Sequence, residues 1–179
     1  MSPLAALYTI LPFLVLFFFH QLEEAFSLQR WLTGKEQLLY SRFPRLQPLI
    51  NHFRKLPPVA FPITAAEEML LLLVITSALF IDVPYSLHLW TAFFMVFSFH
   101  LPFHFALGLL LRDYVPGLVT ALFSIPFVCL TIPQLLNTYY LWQLALLTLA
   151  GLLFMSANLF LVHRLCTSVS RLLQLRHKR

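Results

Sequence analysis

Five apolar stretches, at residues 4–26, 62–81, 87–111, 117–136 and 141–163, constrain this chain more than any other feature. Each is long enough to carry an α-helix across roughly 30 Å of hydrocarbon, which takes about 20 residues. Backbone in lipid must satisfy its own hydrogen bonds, so stretches of this length specify helices. The fold class that follows is all-α: a polytopic integral membrane bundle of about five transmembrane helices, built as one membrane-embedded domain over residues 1–179. Composition agrees, because 60% of residues are apolar and 11% charged. A soluble domain carries about a quarter charged residues, and only lipid solvates a surface as apolar as this one. Residues 1–19 lack the basic leader and small-residue cleavage site of a secretory signal. The first stretch is therefore expected to be a permanent span.

The connections orient the bundle. Residues 82–86 and 137–140 are short and contain no Lys or Arg, whereas residues 27–61 form a basic loop broken by Pro44, Pro48, Pro57 and Pro58. That loop holds Arg30, Lys35, Arg42, Arg45, Arg54 and Lys55. Arg112 follows the third stretch, and Arg164, Arg171, Arg176, Lys178 and Arg179 follow the fifth. With five spans all of these fall on one side, and the positive-inside rule predicts that this side is cytoplasmic and the N-terminus outside. The expected location is the cytoplasmic (inner) membrane of a bacterium. The basicity is thus topological. It suits lipid headgroups, and no nucleic-acid partner is needed to explain it. Leu46, Leu49, Ile50 and Phe53 recur at helical spacing among cations, as do Leu165, Val169, Leu172 and Leu173. The loop 27–61 and the tail 164–179 are read as interfacial segments with amphipathic helices lying on the inner leaflet.

The informative residues are ionisable groups inside the apolar stretches: His20, Glu23, Glu24, Glu67, Glu68, His100, His104 and, at the end of the fifth stretch, His163. An ionised side chain near mid-bilayer costs about 2.5–3.5 kcal/mol even on the lenient insertion scale, while a Leu or Phe returns about 0.3–0.6. Such groups must face the bundle interior and find partners. Topology brings them to one depth, near the cytoplasmic end of spans one, two and three. His20, Glu23 and Glu24 are spaced i, i+3 and i+4 and share a stripe, as do His100 and His104 at i, i+4. Adjacent Glu67 and Glu68 point about 100° apart, so one of them is expected to enter the cluster.

Carboxylates and imidazoles gathered from facing helices are how helical bundles build metal centres. The metal-ligand set read here is His20, Glu23, Glu24, Glu67, His100 and His104. Oxygen and imidazole donors without thiolate favour a divalent iron, manganese or zinc ion. Glu23, Glu24, Glu67 and Glu68 are the candidate acid–base carboxylates. The plainer alternative is structural: Glu24 or Glu68 could pair with Arg30 or Arg54 and anchor the fold, and His163 is expected to be an ordinary core histidine.

Other features carry less. Asp82 and His88 read as surface residues of an outer turn. The Phe17–Phe19 run and Phe93-Phe94 read as lipid-facing or packing groups, and Pro126 and Pro133 are expected to kink the fourth span. Cys129 and Cys166 form no CxxC pair and no expected disulfide. No GxGxxG, P-loop, GxSxG or HExxH motif occurs, which argues against nucleotide binding, serine hydrolysis and zincin-type proteolysis.

His20-Gln21-Leu22-Glu23-Glu24 reads HxxEE, and Tyr114-Val115-Pro116-Gly117 reads YxPG, with a histidine ahead of it. In these motifs, over roughly residues 10–160, the chain resembles the HXXEE-domain family of small integral membrane proteins, a family of unknown function. The resemblance maps the family's additional histidine to His104, with His100 as the alternative. Tyr114, Pro116 and Gly117 have a structural reading, a headgroup-level tyrosine and a tight turn, and a functional one, a lid over the cytoplasmic mouth of the cluster.

Together these readings predict an intramembrane metal-dependent enzyme that hydrolyses or oxidises a lipid or isoprenoid-type substrate, with membrane lipids as its surroundings. The alternatives are a metal-free acid–base lipid isomerase and a small proton-linked transporter or binding protein. The outer half of each span is nearly free of ionisable groups, which counts against a through-channel.

Overall fold

The structure, a computed structural model, describes the backbone of residues 3–176 and the side chains of residues 9–170. The described chain is built from helices and turns. A long helix α1 (Pro3–Gly34) is followed by α2 (Glu36–Arg42), a 3-10 turn (Pro44–Leu46) and α3 (Gln47–Arg54). Then come α4 (Ala60–Phe80), α5 (Ser86–Leu111), α6 (Leu118–Leu136) and α7 (Leu141–Arg176). Helices α1 and α4 to α7 are each long and apolar enough to cross a bilayer. The protein is an integral membrane helical bundle.

α1 packs against α4 and α6, while α5 packs against α4, α6 and α7. α1 and α5 therefore face each other across a ring of four helices, with α7 docked on α5 and α4. Aromatic side chains fill the seam between α1 and α5. Phe13 meets Trp90, Phe94 and Phe97 at centroid separations of 5.3–5.4 Å, and Phe17 meets Phe93 and Phe97 at 5.4 and 5.8 Å. Of the phenylalanine runs, Phe17, Phe93 and Phe94 are core, whereas Phe18 and Phe19 are exposed. Phe13, Phe17, His20 and Glu24 follow one another at i, i+4, i+7 and i+11, a single stripe of α1. The polar cluster thus continues the aromatic seam.

One end of the bundle is closed by residues 27–61. These form the last turns of α1, then α2, the 3-10 turn and α3, where the sequence predicts an interfacial loop. The reason is legible afterwards. Leu28, Trp31 and Leu32 keep helical spacing with no proline to stop α1, and Leu32 is buried with Leu39, Ile50, Phe61, Val115 and Val162 in a second apolar cluster. The amphipathic stripe of α3 is split: Ile50 is buried and Phe53 packs on the same cluster, while Leu46 and Leu49 are exposed. α7 likewise runs unbroken past residue 163 to Arg176. The side chains of Arg171, Leu172, Leu173 and Arg176, together with Lys178 and Arg179, lie outside the described residues. Pro126 and Pro133 sit inside α6, and both cysteines are free.

Candidate metal centre

His20, Glu24, His100 and His104 each place one ligand atom in a common gap, and these four atoms lie within 4.8 Å of one another. Glu24 is the hub. Its Oε1 lies 3.4 Å from His100 Nε2 and 3.5 Å from His104 Nε2, and its Oε2 lies 3.9 Å from His20 Nε2. The Nε2 atoms of His100 and His104 are 2.8 Å apart. Two N or O ligands on one zinc-like ion, each bound at about 2.0–2.2 Å, sit no more than about 4.4 Å apart. The observed separations fall within that limit or exceed it by a few tenths of an ångström. Three imidazole nitrogens and one carboxylate are a donor set for iron, manganese or zinc. Between His100 and His104 lies Pro102, which has no N–H to return to the Ser98 carbonyl.

An outer contact sets the proton on one of the imidazoles. Thr120 Oγ1 lies 2.9 Å from His20 Nδ1 and 2.6 Å from Glu23 Oε2. A hydroxyl has one proton and a carboxylate only accepts, so Thr120 donates to Glu23 and accepts from the His20 Nδ1–H. His20 Nε2 is then a bare acceptor. It is buried with no hydrogen-bond partner among the described residues, beside the Glu24 carboxylate. Two acceptors that face each other in this way are an arrangement a bound cation would satisfy. His104 Nδ1 faces the 113–117 turn, 2.8 Å from where a Cβ on Gly117 would stand. The other side of the ring turns Nε2 toward His100.

Glu23, adjacent to the hub, points elsewhere. It accepts from Tyr114 Oη at 2.8 Å, from the Val119 amide at 3.3 Å, and from the Thr120 amide at 2.8 Å. These are orphan amides of the first turn of α6, whose N-cap is Gly117 and has no side chain to satisfy them. A carboxylate beside a helix N-terminus is also favoured by the helix dipole. Glu23 thus ties α1 to α6 and to the 113–117 turn. That turn covers the cluster: Pro116 is buried, and an added Cβ on Gly117 (φ +84°) would lie 2.8 Å from His104 Nδ1. Trp31 Nε1 donates to the Tyr114 carbonyl at 2.7 Å, and Lys35 pairs with Asp113. The lysine ammonium holds the exposed Asp113 carboxyl below its ordinary value, helped by the Tyr114 amide. Burial, and then the hydrogen bond to Glu23, push the Tyr114 phenol above its ordinary value and keep it a donor.

A family model described as "Protein of unknown function with HXXEE motif" matches residues 11–132. The chain belongs to the HXXEE family. The matched segment runs from α1 into α6 and includes the whole cluster and the covering turn; α7 lies outside it. Within the HXXEE motif of this chain the His and the second Glu enter the cluster, and the first Glu caps α6. No curated protein and no solved structure matches the chain.

The remaining carboxylates of this HXXEE protein part company, as adjacent positions on a helix must. Glu68 accepts from Gln21, inside the motif, and lines a cavity beside the cluster. Glu67 accepts from Asn158 Nδ2 of α7 at 2.7 Å. Among the described residues neither Glu24 nor Glu68 is ion-paired with Arg30 or Arg54, and Arg54 bonds Glu36 instead. The cavity encloses about 480 Å³ among α1, α3, α4, α5 and α7, with His20, Glu24, His100 and Glu68 on an otherwise largely apolar wall. Its size and lining suit a small apolar ligand. The His100 side chain is 45% exposed, against 2% and 7% for His20 and His104, so His100 and Glu24 form the accessible face. Gln21, Thr120 and Asn158 were not singled out from the sequence. Only Thr120 had a signal, because a glycine N-cap leaves helix amides needing an acceptor from elsewhere.

Proposed function

We propose that this HXXEE protein is an intramembrane metal-dependent enzyme acting on a lipid or isoprenoid-type substrate by hydrolysis or oxidation. The observation that carries the reading is the gap among His20 Nε2, Glu24, His100 Nε2 and His104 Nε2, with the outward nitrogen of His20 already committed to Thr120. These four residues would hold one divalent iron, manganese or zinc ion, which supplies Lewis-acid or oxygen-activating chemistry when bound. Glu23 and Thr120 keep His20 in the tautomer that offers Nε2 inward. Glu68, on the cavity wall and outside the four, is the carboxylate available to take or return a proton from a substrate. The apolar wall excludes water and receives a substrate from the bilayer. The charge pattern supports an orientation with the capped end cytoplasmic and the N-terminus outside, in a bacterial inner membrane.

The 2.8 Å contact between His100 and His104 favours one other reading, in which the imidazoles share a proton and the site isomerises a double bond without metal. Elemental analysis separates the two. Detergent-purified protein is expected to carry one ion per chain after reconstitution with iron, manganese or zinc, and His20→Ala and Glu24→Ala to lose it while keeping their helical circular dichroism. A folded wild-type protein that takes up none of the three overturns the metal reading.

A further inference from the structure

The cavity wall is periodic. On α7 it is made by Leu152, Met155, Ser156, Leu159 and His163, and on α1 by Phe17, His20, Gln21, Glu24, Ala25 and Leu28. Both sets recur at helical spacing, so one face of each helix lines the cavity over twelve residues, about 16 Å of axis. A volume of about 480 Å³ lies in the lower half of the range of about 300–1,000 Å³ typical of small-molecule sites. Drawn out along the two helix faces, it is a slot that suits one extended hydrocarbon chain.

The slot has two unlike ends, and the HXXEE cluster lies between them. His20 and Glu24 fall midway along the α1 wall between Phe17 and Leu28. Phe17, Phe93 and Leu152 make one end apolar. At the capped end stand Phe53, Phe61 and His163, whose buried Nε2 has no hydrogen-bond partner among the described residues. Phe99, Phe103 and Ser156 line the slot and are themselves exposed on α5 and α7, which opens the wall on the flank of two membrane spans. Gly151 seats α7 directly on α5 just over a turn before Ser156, since a Cβ there would lie 3.1 Å from the Ala92 carbonyl.

We infer that the slot takes a single-chain amphiphile from the bilayer, with an oxygen-bearing head group toward His163, and presents an internal carbon of its chain to the HXXEE cluster. The last clause rests on the cluster being the reactive centre; occupancy by one chain does not. A fatty acid and a fatty alcohol share the required chemistry.

Electron paramagnetic resonance of stearate bearing a doxyl label tests this on the full-length protein in detergent micelles. An immobilised, saturable component is expected, displaced by unlabelled stearate or stearyl alcohol and not by a two-chain phosphatidylcholine. Ser156→Phe, at an exposed wall position, and Ala65→Phe, on the opposite wall, are each expected to weaken binding about tenfold or more by overfilling the slot. With manganese bound, labels at mid-chain are expected to broaden more than labels beside the carboxylate or the terminal methyl. No immobilised component in folded protein, equal displacement by the two-chain lipid, or unchanged affinity in both variants overturns the slot. Greatest broadening beside the carboxylate overturns the internal-carbon assignment alone. Immobilised stearate in a folded protein that takes up none of iron, manganese or zinc overturns the metal reading and leaves the slot standing.

Discussion

Replacing Gly117 by alanine asks whether the covering turn and His104 act as one unit. Two costs are separable in the structure. Gly117 has φ +84°, and an L-residue held in the left-handed region costs about 1–2 kcal/mol. The new Cβ would also lie 2.8 Å from His104 Nδ1 and 3.0 Å from Nε2. His104 is buried and its Nε2 is 2.8 Å from His100, so the ring cannot withdraw without breaking the cluster. Overpacking of this kind costs about 1–3 kcal/mol, which brings the expected loss for Gly117→Ala to about 2–5 kcal/mol. A double-mutant cycle isolates the contact: in a His104→Ala background only the backbone cost, about 1–2 kcal/mol, should remain. The assay is unfolding in mixed detergent micelles followed by circular dichroism. Gly34→Ala is the control, because nothing lies within 4 Å of its added Cβ, and it should change stability by less than about 1 kcal/mol. Equal costs for Gly117→Ala in the two backgrounds would show that the turn does not press on His104, and the reasoning would be wrong.

Thr120→Val leaves the His20 Nδ1–H without its acceptor and Glu23 without one of its four donors. It should lower metal affinity roughly 10–100-fold in chelator competition, with Thr120→Ser restoring most of it; equal affinity for Thr and Val proteins contradicts the relay. The Lys35–Asp113 pair gives a pH dependence of known sign. Because the Asp113 value is depressed in the folded protein, its contribution is present above the ordinary carboxylate range, about pH 4, and is lost as pH falls through the lowered value. Trp31, bonded to the Tyr114 carbonyl, should report that loosening by fluorescence, and Asp113→Asn should abolish the acid transition; an unchanged transition sinks this assignment.

The five spans were legible because hydrocarbon thickness and helical rise leave no other use for apolar runs of that length. Helix ends were less so. Ser27 to Gly34 becomes polar enough to look like a loop, yet Leu28, Trp31 and Leu32 find a protein surface, made by α3 and the start of α4, that no local pattern announces. The meeting of His20, Glu24, His100 and His104 followed from helix periodicity and shared depth. The destination of Glu23 did not. It shares its helical stripe with His20 and Glu24, but its partners are the amides of Val119 and Thr120 and the Tyr114 hydroxyl, nearly a hundred residues away. The YxPG turn gives this carboxylate its role, so the two motifs make physical sense only as a pair. Glu67 and Glu68 were undecided for a plain reason: neighbouring positions on a helix diverge, and the directions of Gln21 and Asn158 are a property of packing.

X-ray absorption on the protein reconstituted with iron, manganese or zinc probes the convergence of α1 and α5 most directly. The account predicts a shell of three imidazole nitrogens and a carboxylate oxygen at about 2.0–2.2 Å, losing one imidazole in His104→Ala. A shell of water oxygens without imidazole scattering, or one unaltered by that substitution, would contradict it.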